Sequence, residues 1–219
     1  MHRWLAPTRI AFAVLSSVAL GFAGYHAATG VVGVVNYFNY FTNLSNMAAV
    51  VVLLFGGWAG LTGRRPVPGV VRGGVVLCMT ITGIFYGLGL ASYPEAVMIP
   101  WVGHVLQQLM PAVVLADWLA DPPERRIRPV QAAGWMAFPL LYLAYTMVRG
   151  YLIDWYPYPF LDPALPNGYC RVAGASFLMT GAFVLVGAAL LRAGNALADR
   201  RAARSGAAPT GRRAHARPA

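Results

Sequence analysis

Residues 36–62 read NYFNYFTNLSNMAAVVVLLFGGWAGLT. The first part carries Asn36, Asn39, Thr42, Asn43, Ser45 and Asn46, while Ala48 to Phe55 contain no polar side chain at all. A run of about 20 mainly apolar residues is what a helix needs to cross a bilayer. Amides and hydroxyls inside such a run cost free energy unless protein groups satisfy them. The stretch therefore predicts a membrane span near 43–62, with an outer end turned toward other polar helices and a greasy inner end.

Working outward, equivalent runs bounded by Pro, Gly and charge lie near 9–29, 70–91, 97–119, 129–150 and 170–191, which makes six spans. Composition agrees, since 58% of the 219 residues are hydrophobic and 11% charged, where soluble domains run to about a quarter charged. Six crossings leave no room for a substantial water-soluble catalytic domain. The predicted fold is an all-α polytopic membrane protein, with six transmembrane helices over 1–192 and a disordered basic tail over 193–219. That tail is mostly Ala, Arg, Gly and Pro, which cannot build a core.

All 17 basic residues are arginine, against seven Asp and Glu. Arg3, Arg9, Arg64, Arg65, Arg72, Arg125, Arg126, Arg128, Arg192 and the arginines of the tail fall on one side of a six-span chain; Arg149 and Arg171 fall on the other. The positive-inside rule places both termini in the cytoplasm. The net charge of +10 is thereby accounted for without nucleic acid, and the expected partners are membrane lipids. Arginine without lysine, in an alanine-rich chain, suggests a GC-rich bacterial genome and hence a bacterial plasma (inner) membrane. An alternative makes the first span a secretory signal, because Arg3 and Arg9 precede an apolar stretch ending in small residues. Cys78 inside the third span and Cys170 at the mouth of the sixth differ too much in depth for a disulfide.

Polar residues recur at helical spacing. His104, Gln107, Gln108 and Pro111 stand at i, i+3, i+4 and i+7, as do Tyr142, Tyr145, Thr146 and Arg149, so each set defines one face of a helix. The connection 151–167, YLIDWYPYPFLDPALPN, is dense in aromatics that suit an interfacial belt and in prolines that make it a stiff cap. Asp154 and Asp162 are close enough in sequence to pair with Arg149 and Arg171.

No metal motif, P-loop, dinucleotide glycine pattern or GxSxG elbow occurs, so no metal or cofactor is expected. A metal on His26, His104 and Asp154 is disfavoured by their scatter. What remains is a hydroxyl and an imidazole at compatible depth. Thr42 serves as a nucleophile only if a base takes its proton, and His104 is the candidate base. Asn39, Asn43 and Asn46 are candidate donors to an oxyanion and to substrate, with Gln107, Gln108, Tyr145 and Arg149 lining the same pocket. The structural alternative makes Thr42 the cap of the second span, the asparagines satisfiers of its free N–H groups, and His104 an interhelical hydrogen bond. On that alternative the protein is a non-enzymatic lipid-binding or transport protein.

Three motifs in order, NYFTNLSN around Thr42, HVLQQLMPAVVLADW from His104 and WYPYPFLDP from Trp155, resemble the androgen-induced-gene family of multi-span membrane proteins and its bacterial six-span relatives. The resemblance covers the chain from about Phe38 to the sixth span. It implies an intramembrane hydrolase of fatty acid esters of hydroxy fatty acids, with a threonine nucleophile and a histidine. Thr42 matches the threonine in its aromatic context. The family's histidine stands about one turn nearer the proline, where this chain has Leu106 and Gln107, and His104 shares a face with Gln107.

Overall fold

The computed structural model describes residues 4–30, 33–88 and 99–206, and all regular structure among them is helical. The helices are α1 (Leu5–Thr29), α2 (Val34–Phe38), α3 (Phe41–Thr62), α4 (Gly69–Gly87), α5 (Pro100–Gly103), a π segment (His104–Leu109), α6 (Met110–Ala120), α7 (Pro129–Ala133), α8 (Ala137–Ile153) and α9 (Gly168–Gly206). Short 3-10 turns fill Gly134–Met136 and Pro159–Leu161. Pro100 and Pro129 open α5 and α7, where a missing N–H costs nothing. Gln131 reaches back to accept the Arg128 N–H at 2.9 Å and closes the start of α7.

Five helical stretches are long and apolar enough to cross a bilayer: Leu5–Thr29, Phe41–Thr62, Gly69–Gly87, Pro129–Ile153 and Gly168–Arg204. The expected span near 97–119 is helical without a break from Pro100 to Ala120, but its winding changes from α to π and back. Residues 97 and 98, and the last positions of the span expected at 70–91, lie outside the described residues.

Polarity is inverted relative to a water-soluble bundle. Phe55, Trp58, Leu141, Leu152, Phe177, Leu178 and Leu185 are exposed, while Arg9, Ser16, Asn43, Ser45, Asn46, Arg72 and Asp121 are buried. An apolar exterior of this extent needs lipid around it. Inside, α4 is the central helix, packed against α3, α6 and α9, while α1 runs along α3. That last pair closes on Gly57, where a Cβ would stand 2.6 Å from Ile10 Cγ1, so a small residue is required for the approach.

One end of the bundle is held by charge. Asp117 and Asp121 stand one turn apart at the end of α6, where like charges repel and the helix dipole disfavours anions. Arginines from three other helices answer them. Arg9 of α1 bonds Asp117 Oδ1 at 2.6 Å and Asp121 Oδ2 at 2.8 Å; Arg72 of α4 bonds Asp117 Oδ2 at 2.9 Å; Arg201 of α9 bonds Asp121 Oδ1 at 3.0 Å. Burial pushes the Asp121 carboxyl up, but the Arg9 and Arg201 hydrogen bonds and the Arg72 and Arg9 charges outweigh it and hold the group below its ordinary range.

Residues 193–206, expected to be disordered from composition, continue α9 instead. The reason is lateral contact. Asn195 accepts the Ile127 N–H at 2.8 Å and donates to the Ile127 carbonyl at 3.0 Å, and Arg201 joins the ion network. Residues 207–219 of the expected tail lie outside the described residues.

Removing one partner from a buried ion network leaves the other charge uncompensated and costs about 3–5 kcal/mol, whereas an exposed pair is worth at most about 1 kcal/mol. Arg9→Met should therefore lower the unfolding temperature in detergent sharply, and Arg126→Gln, which breaks only the exposed 3.5 Å pair with Asp199, should leave it nearly unchanged. Because the folded Asp121 pKa is depressed, its contribution is complete above the unfolded value of about 3.9 and is lost as pH falls through the folded one. Thermal unfolding of the Asp121→Asn variant should thus differ most from wild type at neutral pH and converge with it in acid.

Candidate functional site

The opposite end of the bundle is built around the start of α3. Its N-cap, Tyr40, does not cap the helix with its side chain. Two tyrosine hydroxyls stand beside its first turn, Tyr142 near the Phe41 N–H and Tyr158 near Thr42. Tyr142 in turn donates to the Asn39 carbonyl at 2.9 Å.

The asparagines serve carbonyls. Asn43 Nδ2 donates to the Tyr37 carbonyl at 2.7 Å, and Asn39 Nδ2 to the Val35 carbonyl at 2.7 Å. Asn46 Nδ2 spends both N–H groups, on the Thr42 carbonyl at 2.9 Å and the Leu106 carbonyl at 3.0 Å, so it keeps none for an oxyanion. The second bond has a clear cause. The Met110 N–H reaches back five residues to Val105, and Pro111 has no N–H to give, so neither helical donor is left for Leu106. Asn46, fully buried on the neighbouring helix, supplies the missing one. Pro111 sits close against α4 at Gly83, where a Cβ would lie 2.9 Å from the proline ring.

The polar face of α8 meets the segment before α3. Tyr145 donates to Asn39 Oδ1 at 2.6 Å, and Arg149 donates to Asn36 Oδ1 at 2.6 Å while lying 4.9 Å over the Trp155 ring. Arg149 and Arg171 do not pair with Asp154 and Asp162. Arg171 instead binds the Pro159 and Asp162 carbonyls at 2.9 and 2.6 Å, adding a second donor to acceptors that already take the Asp162 and Leu165 N–H groups. The Asp162 carboxylate takes the Ala164 N–H at 2.8 Å.

Beneath this cap lies a cavity of about 80 Å³. Its walls are almost wholly apolar, from Phe41, Phe85, Leu143, Phe160 and Phe183, with hydroxyls from Thr42, Tyr158, Thr82, Ser176 and Thr180. The volume equals two or three waters at about 30 Å³ each. A space so lined excludes water and suits a few methylene groups. At its edge the Thr42 side chain stands beside the buried Tyr158 hydroxyl. Burial pushes the Tyr158 phenol well above its ordinary range despite the Thr42 N–H, so it stays protonated at neutral pH and takes no proton from Thr42.

His104 is not among the residues lining this cavity. It is exposed at the start of the π segment, with Nδ1 3.0 Å from Gln108 Oε1. In the tautomer that donates from Nδ1 to this amide oxygen, Nε2 is the acceptor nitrogen. Gln107 is half-buried in the same segment. The structure therefore brings together Thr42, Asn39, Asn43, Tyr145 and Arg149 around the cap, joins Asn46 to the π segment, and sets His104 with Gln108 on an outward face.

Tyr158 is the site residue that sequence reasoning left in the aromatic belt. Its signal was present: a tyrosine between Pro157 and Pro159 has constrained neighbours on both sides and is a placed side chain. Compared with protein-family models, with curated proteins and with solved structures, the chain matches none.

An unsatisfied buried carbonyl costs about 1–3 kcal/mol. Asn46→Ala should lower stability in detergent by that amount, measured by thermal unfolding. Pro111→Ala restores a backbone N–H next to the bulge, so the cost of Asn46→Ala should be smaller in that background, a coupling read from the double-mutant cycle.

Proposed function

We propose that the chain is a six-span bacterial inner-membrane protein, with both termini cytoplasmic, that holds the acyl portion of a membrane lipid in the cavity beneath the 155–166 cap. The cavity carries this reading: an apolar space of about 80 Å³ lined by Tyr158 and Phe160 of the cap, with hydroxyls at its edge. It accommodates a short stretch of chain and leaves the polar part of the lipid facing Asn39, Tyr145 and Arg149. The continuous helix Pro100–Ala120 would supply the sixth span, about 30 Å long at 1.5 Å per residue.

A second reading, lipid-ester hydrolysis, is favoured by Thr42 at the cavity edge, by the acceptor Nε2 of His104 and by the resemblance to the androgen-induced-gene hydrolases. In it the Thr42 oxygen attacks the ester carbonyl, its proton passes to His104 Nε2 and then to the leaving alcohol, and water releases the fatty acid from Thr42. Tyr158, protonated, and Asn43 are the donors nearest the forming oxyanion. This mechanism requires His104 to turn from its outward face toward Thr42.

Two experiments decide between these readings. A photoactivatable fatty acid should crosslink to the cavity wall of the purified protein, and Leu143→Trp, which fills the space, should reduce crosslinking at least tenfold; equal labelling would reject the cavity as the lipid site. Release of free fatty acid from an ester lipid, lost in both Thr42→Ala and His104→Ala, supports hydrolysis, while equal activity in wild type and both variants rejects it. Topology is checked separately: Cys170 should react with an impermeant maleimide added outside intact cells, and a fluorescent protein fused to the C-terminus should light up in the cytoplasm.

A further inference from the structure

The end of the bundle that carries the ion network also carries a cleft of about 610 Å³, formed where the loop before α4 meets the loop before α7. That is inside the range of small-molecule sites, about 300–1,000 Å³. Arg65, Arg125 and Arg128 stand around it, with Gln131 from the first turn of α7 and one exposed acid, Glu124, so the free side chains carry a net positive charge. Arg72 also touches the cleft but is consumed by Asp117, and Arg126 faces Asp199. Arg65, Arg125 and Arg128 are exposed, and no carboxylate lies within 4.0 Å of any of them among the described residues. Asp121, the nearest buried acid, already has its arginines.

A row of positive charges at a membrane boundary is the ordinary means of fixing orientation. This one differs in being built. Pro66, Pro68, Pro122 and Pro123 stiffen both loops, and Pro123 lies against Gly69, so the two walls are in contact. Ile127 is buried, and Asn195 of α9 binds both its N–H and its carbonyl, which holds the chain between Arg125 and Arg128 in one place. The walls are thus fixed before any ligand arrives, which lowers the ordering cost of binding. Guanidinium forks match the paired oxygens of a phosphate and are weakly hydrated, which suits them to an oxyanion more than to chloride.

We infer that this cleft binds the phosphate headgroup of an anionic phospholipid, with Arg65, Arg125 and Arg128 as its cationic ligands. A lipid rather than a soluble phosphate is indicated by position. The cleft lies directly before the first residues of α4 and α7, each opening a stretch apolar enough to span the bilayer, and Val67, Val70 and Ile127 supply an apolar side to it. A headgroup seated there has its acyl chains alongside those helices. The site is independent of the cavity at the other end and of any chemistry at Thr42.

The test is native mass spectrometry of the full-length protein released from detergent, titrated with phosphatidylglycerol, phosphatidylcholine or inorganic pyrophosphate. Wild type should retain phosphatidylglycerol at least tenfold better than phosphatidylcholine. The triple variant Arg65→Gln, Arg125→Gln, Arg128→Gln should lose that preference, and its lysine counterpart should keep part of it. A control of equal charge loss outside the cleft, Arg192→Gln, Arg200→Gln, Arg204→Gln, should retain it. If the control loses as much as the cleft variant, the binding is general surface charge and the proposal fails. If pyrophosphate binds as well as phosphatidylglycerol and displaces it without regard to acyl chains, the ligand is a soluble phosphate and the lipid assignment fails. Each variant is first checked for a monodisperse peak on size exclusion, since all the altered side chains are on the surface.

Discussion

Two carboxylates one turn apart at the end of α6 impose the main constraint on this protein. Left alone, Asp117 and Asp121 would repel each other and oppose the helix dipole in a region with little water. The fold answers by bringing Arg9, Arg72 and Arg201 from three different helices to the same point. Each arginine is a geometric requirement on its helix: α1, α4 and α9 must all end at the level of Asp121, in a rotation that points these side chains inward. Lipid offers no hydrophobic incentive for one helix to choose another. A charge cluster does, because a wrong partner leaves an ion unpaired. The same cluster carries α9 past the bilayer as ordered helix.

At the far end the constraint is backbone rather than charge. The start of α3 exposes N–H groups, and the π segment exposes the Leu106 carbonyl, in a region where neither finds bulk water. Tyr142 and Tyr158 lie beside the first, and Asn46 takes the second. The cap formed by the 155–166 connection is thereby attached to α3 through Tyr158, and the π segment is attached to α3 through Asn46. Thr42 stands between these two attachments, so its position is set from both sides. The cavity below it is what remains when aromatic side chains from α3, α4, α8 and α9 meet without filling the space.

Much of this was readable from residue order. The alternation of polar and greasy halves in 36–62 located α3 within two residues, and the spacing of Tyr142, Tyr145, Thr146 and Arg149 placed them on one face that does meet Asn36 and Asn39. The face of His104, Gln107, Gln108 and Pro111 was misjudged for a physical reason. Spacing of i, i+3, i+4 and i+7 describes one face only under α winding, and here the helix hydrogen-bonds i to i+5, which turns His104 away from the line of Pro111. The arginines misled in another way. Read as orientation signals, Arg9 and Arg72 concealed a pairing with Asp117 and Asp121, although the i, i+4 spacing of the two acids was plain in the sequence.

The π segment has a genetic corollary. Winding from i to i+5 accommodates one surplus residue between fixed ends, so His104–Leu109 holds one codon more than regular α winding would need. Deleting that codon would restore regular winding and swing everything on its N-terminal side by about 100° about the helix axis. The imidazole would then face a different neighbour without any change of fold.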